Sequence, residues 1–312
     1  MITYGSVCSG IEAATVAWHP LGMRAAWYAE IEPFPSAVLA HHYPATPNLG
    51  DMTKLSSRVL AGKIAAPEVL VGGTPCQAFS VAGMREGLAD PRGALTIKYV
   101  ELANAVDHVR ISRNEPESII VWENVPGVLS DRGNAFGCFL GALAGEDCEL
   151  QPSGKRWQDA GCVYGPKRTI AWRILDAQYF GLAQRRRRVF VVASARTGFD
   201  PVEVLFEREG VRRDSPPRWP TELPLHPTLT ARGGGSLDDR EAYVLELDGI
   251  RRTTPTEWER CQGFPAGHTL IPWKKRPASN CPDAPRYKTL GNSMAVPVIR
   301  WLGERIISCI VC

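Results

Sequence analysis

The segment "PEVLVGGTPCQAFS", residues 67–80, runs a short apolar stretch into two glycines and then into polar residues. Its apolar part, 69–71, shows no alternation of polar and apolar side chains, which is typical of a strand covered on both faces of a sheet. The segments "ITYGSVCSG" at 2–10 and "SIIVWENV" at 118–125 follow the same pattern, and 95–110 has the pattern of an intervening helix. We therefore predict an α/β fold with a doubly wound sheet, whose ligands gather at the carboxyl ends of the strands.

The character of the chain changes after Ala195. Residues 196–250 are rich in proline, glycine and charge, which indicates a smaller, irregular or β-rich second domain, with a disordered linker as the alternative. The segment "GNSMAVPVIRWLGERIISCI" is predicted to form a helix that packs back on the first domain. The predicted division is thus a first domain of 1–195 plus 285–312 and a small domain of 196–284.

The composition is that of an ordinary globular protein. Hydrophobic residues make up 44% of the 312 residues, and no run approaches the roughly 18 apolar residues that a membrane helix needs. The start of the sequence has no basic region leading into an apolar core, so we expect a cytoplasmic protein with no membrane partner. The nine cysteines are an odd number scattered along the sequence, which is not typical of a disulfide framework, and we predict no metal site. The net charge of +3 neither requires nor excludes a polyanionic partner.

Two segments near the amino terminus carry residues suited to a nucleotide-like cofactor. "SVCSGIEAA", residues 6–14, indicates a strand, a tight glycine turn and a helix start, where backbone N–H groups can bind a carboxylate or phosphate. "AEIEPF" places Glu30 and Glu32 at a strand end, and "GDMT" places Asp51 at the end of another. Such a carboxylate can accept hydrogen bonds from both ribose hydroxyls, although acidic helix caps are an equally good interpretation.

Cys76 and Glu123 are the candidate reactive groups. Pro75 fixes the backbone just before the Cys76 thiol, which suits attack on a bound ligand, but a lone cysteine is more often buried filler. A second group is needed to favour the reactive interpretation, and Glu123 supplies one at the end of the apolar segment "VWENV". A carboxyl beside an apolar wall can have a raised pKa and donate a proton. Two strand ends of one sheet bring both groups to the same crevice.

A run of four arginines, "QRRRR" at 184–188, leads directly into an apolar strand. Alternation along that strand sends Arg186 and Arg188 to one face and Arg185 and Arg187 to the other. One pair can then reach the crevice while the other meets solvent or phosphate. A solvated charge run is the ordinary interpretation of such a sequence.

Taken together and in this order, these segments resemble the S-adenosylmethionine-dependent DNA cytosine C5-methyltransferases over most of the chain. The matching motifs are the Pro-Cys loop in "GGTPCQAFS", the following arm in "DPRGALTIKYVE", the Glu-Asn-Val motif, the arginine strand in "QRRRRVFVVA", the segment "RRTTPTEWERCQGFP" and the terminal motif "GNSMAVPV". The resemblance implies a Rossmann-like methyltransferase sheet with a smaller target-recognition domain.

The resemblance also implies a mechanism. Cytosine C5 is too weak a nucleophile to take a methyl group unaided, so the Cys76 thiolate adds to C6 and makes C5 enamine-like. Glu123 holds N3 and the exocyclic amine and protonates N3. Arg188 and Arg186 contact the base and the developing charge. Pro75 sets the approach of the thiol.

The same resemblance implies the cofactor, the partner and the remaining site residues. Asn292 steadies the region of the catalytic carboxyl. S-adenosylmethionine is expected to bind at Gly10, Ile11, Glu30, Ile31, Asp51, Met52 and Gly73. Double-stranded DNA is the expected partner, with the target cytosine flipped into the pocket and the loop from Cys76 to Arg92 closing over it. "TLTARGGG" at 228–235 resembles a recognition loop, and the expected DNA-reading residues are Gln77, Arg232, Gly233 and Gly234.

The first motif departs from the family pattern Asp-x-Phe-x-Gly-x-Gly. Ser6, Cys8 and Glu12 stand in the places of the aspartate, the phenylalanine and the final glycine, and Gly10 alone matches. Without the phenylalanine, the adenine loses an aromatic stacking partner.

Three functional hypotheses follow from these motifs. An active DNA methyltransferase accounts for all of them; a catalytically silent DNA-binding relative and an RNA-directed cytosine methyltransferase are the alternatives. We expect a monomer. A cognate restriction endonuclease and a phage-protective role both remain open as its setting.

Overall fold

The computed structural model describes residues 1–75, 93–207, 243–246 and 249–311. Seven strands form the main sheet: β1 (Thr3–Val7), β2 (Arg24–Ala29), β3 (Val69–Gly72), β4 (Ile119–Asn124), β5 (Ala160–Tyr164), β6 (Thr169–Asp176) and β7 (Arg187–Ser194). Their order in the sheet is β2-β1-β3-β4-β7-β6-β5. The predicted α/β fold, with a sheet that is covered on both faces, is confirmed.

The sheet is mixed: four neighbouring strands are parallel, and the remaining three alternate in direction. β2, β1, β3 and β4 are parallel, whereas β7 runs antiparallel to β4 and β6, and β5 antiparallel to β6. Asn124 at the end of β4 is therefore paired with Val189 near the start of β7. Because of this reversal, the arginine-rich start of β7 lies at the same edge as the carboxyl ends of the parallel strands. A wholly parallel sheet, as the sequence suggested, would have put that end on the opposite edge.

Helices cover both faces of the sheet. They are α1 (Ala13–Trp18), α2 (Pro33–His42), α3 (Leu55–Leu60), α4 (Gly93–Ser112), α5 (Ala135–Ala144), α6 (Pro201–Leu205), α7 (Pro255–Gln262), α8 (Asp283–Asn292) and α9 (Val296–Val311). Val69 and Val71 of β3 pack in one core cluster, and Leu70 packs in the other, so the uninterrupted apolar strand is explained by two buried faces. Within the described ranges, no helix is long and apolar enough to cross a membrane.

Both helices expected from the sequence are present. α4 covers the predicted 95–110, and α9 returns to the sheet, with Val298, Leu302 and Ile306 buried in the core. The indole Nε1 of Trp18 donates a hydrogen bond to Ile299 O at 2.7 Å, which joins α1 to α9 across the chain.

The segment 131–165 forms α5 and the edge strand β5. Phe136 of α5 packs edge-to-face against Trp157 and Trp172, with ring centroids 5.4 and 5.6 Å apart. Just beyond the segment, Arg168 is fully buried and forms a 2.7 Å ion pair with Asp107 of α4. The segment thus widens the sheet and adds an aromatic layer to the core on that face.

The described parts of the predicted small domain lie in two different environments. β8 (Tyr243–Glu246) and β9 (Gly249–Arg252) form a separate antiparallel pair. In contrast, Val204 of α6 and Trp258 of α7 belong to the same core cluster as the sheet. Both ends of the segment 196–284 therefore contribute to the core of the sheet, and the division into two domains stays a prediction. The existence of a target-recognition domain remains a prediction.

Candidate active site

A cavity of about 640 Å³ opens at the edge where the parallel strands end. Its wall is formed by the turn after β1, the segment after β2, the residues that follow β3 and β4, the start of β7 and the end of α8. The volume lies in the range of sites for small organic cofactors. The strand-end motifs singled out in the sequence thus face one cavity.

The turn between β1 and α1 has an unusual backbone. Cys8, Gly10 and Glu12 all have positive φ angles, of 49°, 56° and 62°. Glycine adopts this left-handed conformation without cost, whereas the other two residues do not. Cys8 and Gly10 line the cavity, and burial raises the pKa of the Cys8 thiol to about 12, so Cys8 acts as an apolar wall residue.

Glu30 organises the turn from the end of β2. Its carboxylate accepts hydrogen bonds from Gly10 N at 2.8 Å and from Glu32 N at 2.7 Å, and it also lines the cavity. Glu32, the second acid of this segment, forms an exposed 2.8 Å ion pair with Lys288. Glu30 is therefore placed to bind a ligand, and Glu32 joins α2 to α8.

Asp51 also lines the cavity but does not lie at the end of a strand, contrary to the sequence interpretation. Only an isolated bridge between Tyr28 and Asn48 precedes it, and Asp51 instead caps a short helical turn. Its Oδ1 accepts from Thr53 N and Thr53 Oγ1, and these hydrogen bonds lower the pKa of the Asp51 carboxyl. The loop pairs with β2 at this bridge, where Tyr28 N donates to Pro47 O at 2.9 Å and Leu49 N donates to Tyr28 O at 2.7 Å.

Apolar residues complete this half of the cavity. Ile31 is 73% exposed at its rim, and Met52 is buried in its wall. Ile11, also expected at the cofactor, instead has its side chain buried in the core, and its carbonyl accepts a hydrogen bond from His268 Nε2 at 2.9 Å. Apolar surface between two carboxylates fits a nucleoside: Glu30 suits the ribose hydroxyls, and Asp51 and Ile31 suit the base.

The other half of the cavity contains Glu123, buried at the end of β4. Burial raises the pKa of the Glu123 carboxyl, and the nearby Arg188 and Arg186 oppose that rise. Arg188 Nε lies 3.2 Å from Glu123 Oε1. A β-carbon added at Gly73 would lie only 3.0 Å from Glu123 Oε2, so the glycine leaves room for the carboxyl. Gly73, expected at the cofactor, thus also borders the candidate acid.

The arginine run divides as its alternation predicts. Arg186 and Arg188 face the cavity, whereas Arg187 is exposed and pairs with Asp159 at 2.8 Å. Arg186 is fully buried, and its Nη2 donates to the carbonyls of Gly291 and Ser293 at 2.9 and 2.7 Å. Arg186 therefore holds the end of α8 against β7 in addition to bordering the cavity.

Thr74 is a site residue that the sequence interpretation missed. Its hydroxyl contacts the Thr96 hydroxyl at 2.7 Å and accepts from Trp122 Nε1 at 3.0 Å, while its carbonyl accepts from Asn124 Nδ2 at 3.0 Å. These contacts fix the backbone immediately before Pro75, which lines the cavity. The amide in the Glu-Asn-Val motif was the available signal, because a polar residue at a buried strand end needs a partner.

Six further site residues were predicted from the sequence. Asn292 lies in the cavity wall at the end of α8, and its effect on the carboxyl region remains a prediction. Cys76 and Gln77 follow Pro75 directly, and Arg232, Gly233 and Gly234 belong to the proposed recognition loop. These five residues lie outside the described residues.

Known proteins are similar to this chain in both sequence and fold. The family model for C-5 cytosine-specific DNA methylases matches residues 2–222 and 204–308. A Bacillus subtilis protein named type II methyltransferase M2.BsuMI is 26% identical over 96% of this chain and 74% of its own length. A solved Dnmt2 methyltransferase from S. pombe has a TM-score of 0.68 at 17% identity, with 99% of each chain covered.

A more similar relative has a different name. A protein of Escherichia phage P1 named DNA N-6-adenine-methyltransferase is 44% identical over 98% of this chain, but the chain spans only 61% of that protein. The family model covers nearly the whole chain, including the cavity residues at β1, β3, β4, β7 and α8. The chain therefore belongs to the family of C-5 cytosine-specific DNA methylases.

Proposed function

We propose that this chain transfers a methyl group from S-adenosylmethionine to C5 of a cytosine in duplex DNA. The observation that carries the proposal is the buried Glu123 carboxyl, with a raised pKa, in the same cavity wall as Pro75. Pro75 immediately precedes Cys76 in the sequence. A proton donor and a thiol at two neighbouring strand ends are the two groups that the activation of C5 requires.

The role of each residue follows from the electron balance of the reaction. The Cys76 thiolate forms a bond to C6, and N3 takes the proton of Glu123 as electron density moves toward C5. When bound, S-adenosylmethionine would supply the electrophilic methyl group that C5 takes, with S-adenosylhomocysteine released as the S–CH₃ bond breaks. Removal of the C5 proton by a base or water and return of the N3 proton to Glu123 then break the S–C6 bond and release the thiolate. Arg188 places a positive charge beside Glu123, and this charge stabilises the carboxylate that forms when Glu123 gives up its proton.

The other half of the cavity is proposed to hold the cofactor. Glu30 would accept hydrogen bonds from the ribose, and Ile31 and Met52 would contact the adenine in place of the missing aromatic residue at Cys8. Asp51, 40% exposed, has one carboxylate oxygen free of the Thr53 hydrogen bonds and can accept from an adenine amine. Each of these assignments uses a side chain that lines the same cavity.

Base flipping is part of the proposal, because C5 and C6 are not accessible in this way within a stacked duplex. Gln77, Arg232, Gly233 and Gly234 keep the DNA-reading roles that the family resemblance implies. An accompanying restriction endonuclease is a biological setting suggested by the type II name of the Bacillus relative.

Adenine N6 methylation is the second candidate, since the phage P1 relative carries that name. An exocyclic amine needs no covalent activation of the ring, so this reaction assigns no role to Cys76. The unmatched 39% of the P1 protein, the remainder of the 61% that this chain spans, offers a separate location for the named activity.

The product decides between these candidates. We would incubate the protein with labelled S-adenosylmethionine and duplex DNA and identify the labelled nucleoside by mass spectrometry. We expect 5-methyl-2′-deoxycytidine, with the label lost in Cys76→Ser and kept in the matched control Cys148→Ser, whose thiol is exposed elsewhere. Label in N6-methyl-2′-deoxyadenosine, or transfer that survives Cys76→Ser, would overturn the proposal. A parallel reaction with structured RNA tests the RNA-directed alternative.

A further inference from the structure

A buried hydrogen-bond network lies beneath the turn that borders the proposed cofactor half of the cavity. Glu12 Oε2 accepts from Thr15 N at 3.1 Å and from Thr15 Oγ1 at 2.6 Å. The Thr15 hydroxyl also lies 2.7 Å from the Tyr4 hydroxyl and 2.8 Å from the Tyr28 hydroxyl. Because Thr15 has one hydroxyl proton and gives it to the carboxylate, both tyrosines donate to Thr15. The network thus joins β1, β2 and α1 through one carboxyl.

The backbone at Glu12 would favour a different residue. Its φ angle of 62° lies in the left-handed region, where a side chain is unfavourable and glycine is not. Glu12 is also buried, which is costly for a carboxyl and raises its pKa to about 7. Glycine would avoid both the backbone strain and the buried carboxyl. We therefore expect the Glu12 side chain to have a structural role that glycine cannot perform.

Ser6 provides the second observation. It is fully buried in β1, close enough to the Glu12 carboxyl to lower its pKa, and the buried atoms Ser6 Oγ and Glu12 Oε1 have no hydrogen-bond partner among the described residues. In the family pattern given above, the position of Ser6 holds an aspartate and that of Glu12 holds a glycine. Compared with that pattern, an acid is absent at the position of Ser6 and present at the position of Glu12, and the two residues lie close together in the fold.

We infer that Glu12 supplies, from the turn, the buried carboxyl that relatives carry at the position of Ser6, and that it acts as a positioning residue for cofactor binding. This inference rests on the proposed use of S-adenosylmethionine. Glu12 N donates to Ser9 O at 3.0 Å, and Gly10 N donates to Glu30 at 2.8 Å, so the turn is held at both ends by carboxylate-bearing residues. Without Glu12, the end nearest α1 loses its side-chain cap and the cavity wall loses its fixed position.

The exchange of acids can be reversed experimentally. We would measure the dissociation constant of S-adenosylhomocysteine by calorimetry for the wild type, Glu12→Gly, Glu12→Gln and the double variant Ser6→Asp/Glu12→Gly. Glu12→Gly should bind about tenfold more weakly, as expected for the loss of hydrogen bonds to a buried charged group. Glu12→Gln keeps an acceptor for Thr15, and the double variant restores the acid, so both should bind within about threefold of the wild type.

Kinetics and a control variant separate positioning from general stability. In steady-state assays, Glu12→Gly should raise KM for the cofactor and leave kcat largely unchanged, because the network does not touch the reacting atoms. Asn114→Gly removes the same kind of positive φ strain at an exposed site after α4 and should leave the affinity unchanged.

The outcomes are distinct. If the wild type does not bind S-adenosylhomocysteine, the proposed function fails. If the wild type binds but Glu12→Gly binds equally well, or if Ser6→Asp gives no recovery in the double variant, the exchange of acids is wrong while the proposed function stands. If Glu12→Gly does not fold, the double variant is compared directly with the wild type, and a failure to fold or bind there overturns the inference.

Discussion

Arg188 and Glu123 form an ion pair in the cavity wall, with 3.2 Å between Nε and Oε1 and both side chains at least 85% buried. The pair exists because β7 runs antiparallel to β4: Asn124 is paired with Val189, which brings Arg188 beside the end of β4. Burial and this neighbour act in opposite directions on the pKa of Glu123, and burial has the larger effect. A carboxyl whose pKa is raised by burial and which lies beside a cation is suited to exchange a proton during a reaction.

Glu123→Gln tests the proposed proton donor. Glutamine has nearly the same shape but cannot transfer a proton, so kcat should fall by roughly 10²- to 10⁴-fold. The affinity for S-adenosylhomocysteine, measured by calorimetry, should change little, because Glu30 and Asp51 lie in the other half of the cavity. A kcat equal to that of the wild type would contradict the assignment.

Arg188→Gln tests how the pKa of Glu123 is set. Activity that needs the protonated Glu123 is lost as the pH rises through its pKa, and Arg188 lowers that pKa. Without Arg188, the alkaline limb of the kcat profile, recorded between about pH 6 and pH 9, should move to higher pH. Arg187→Gln is the matched control, since Arg187 pairs with the exposed Asp159 instead. A shift to lower pH would be incompatible with the observed pairing.

Gly73→Ala tests the fit of the carboxyl against β3. The added β-carbon would lie 3.0 Å from Glu123 Oε2 and 3.1 Å from Glu123 O, so the carboxyl must move. Because small displacements of reacting groups are costly, kcat should fall about tenfold while the melting temperature stays close to that of the wild type. Gly154→Ala, where nothing lies within 4 Å of the added carbon, should leave both values unchanged. Equal activity of the two variants would show that the carboxyl position is not critical.

Arg168→Met tests the buried pair that joins β6 to α4. Arg168 and Asp107 lie 2.7 Å apart and are almost fully buried, so the variant leaves an unpaired carboxylate in the core. The free energy of unfolding, measured in urea, should fall by about 3–5 kcal/mol. Arg187→Met removes an arginine from an ion pair whose side chains are 52% and 66% exposed, and should cost about 1 kcal/mol or less. Similar losses in both variants would contradict the structural role given to Arg168.

His268 should make stability depend on pH. Burial and neighbouring groups lower its pKa to about 4, below its value in the unfolded chain, and its Nε2 donates to Ile11 O. Because the pKa is lower in the folded protein, neutral His268 stabilises the fold above about pH 6.5. This stabilisation, of up to about 3 kcal/mol, is lost as the pH falls toward 4. Urea unfolding at several pH values should therefore show a smaller pH dependence in His268→Gln than in the wild type.

His108→Gln is the control for this measurement, because His108 is exposed on α4, away from His268 in the sequence. Its pH dependence should match that of the wild type. An unchanged dependence in His268→Gln would show that other groups control the loss of stability in acid.

The strands and helices of the first domain could be predicted because their signals are local. β3 and the start of β4 are short apolar runs, which predict strands buried on both faces. α4 and α9 have helical periodicity, which predicts helices with one buried face. β5 and β6 could not be predicted in the same way. β5 is an edge strand whose residues alternate between exposed and partly buried positions, and it is defined mainly by its pairing with β6.

The candidate site also contains some residues that can be predicted from the sequence and others that only the fold identifies. Gly10, Glu30, Glu123 and Arg188 could be named from the sequence, since each follows or begins an apolar strand and a sheet brings such positions to one edge. Thr74 could not, because its importance comes from hydrogen bonds to Thr96, Trp122 and Asn124, which are distant in sequence. Ile11 was placed at the cavity by its neighbours in the motif, yet its side chain turns into the core.

The α/β class, the order of the motifs and the chemical types of the groups at the strand ends could all be predicted, because they depend on local composition and spacing. The tertiary structure decided the direction of β7, the contact between Arg188 and Glu123 and the meeting of Ser6 with Glu12. Those relationships depend on long-range pairing and on backbone angles at single residues, and neither is encoded in a periodic pattern.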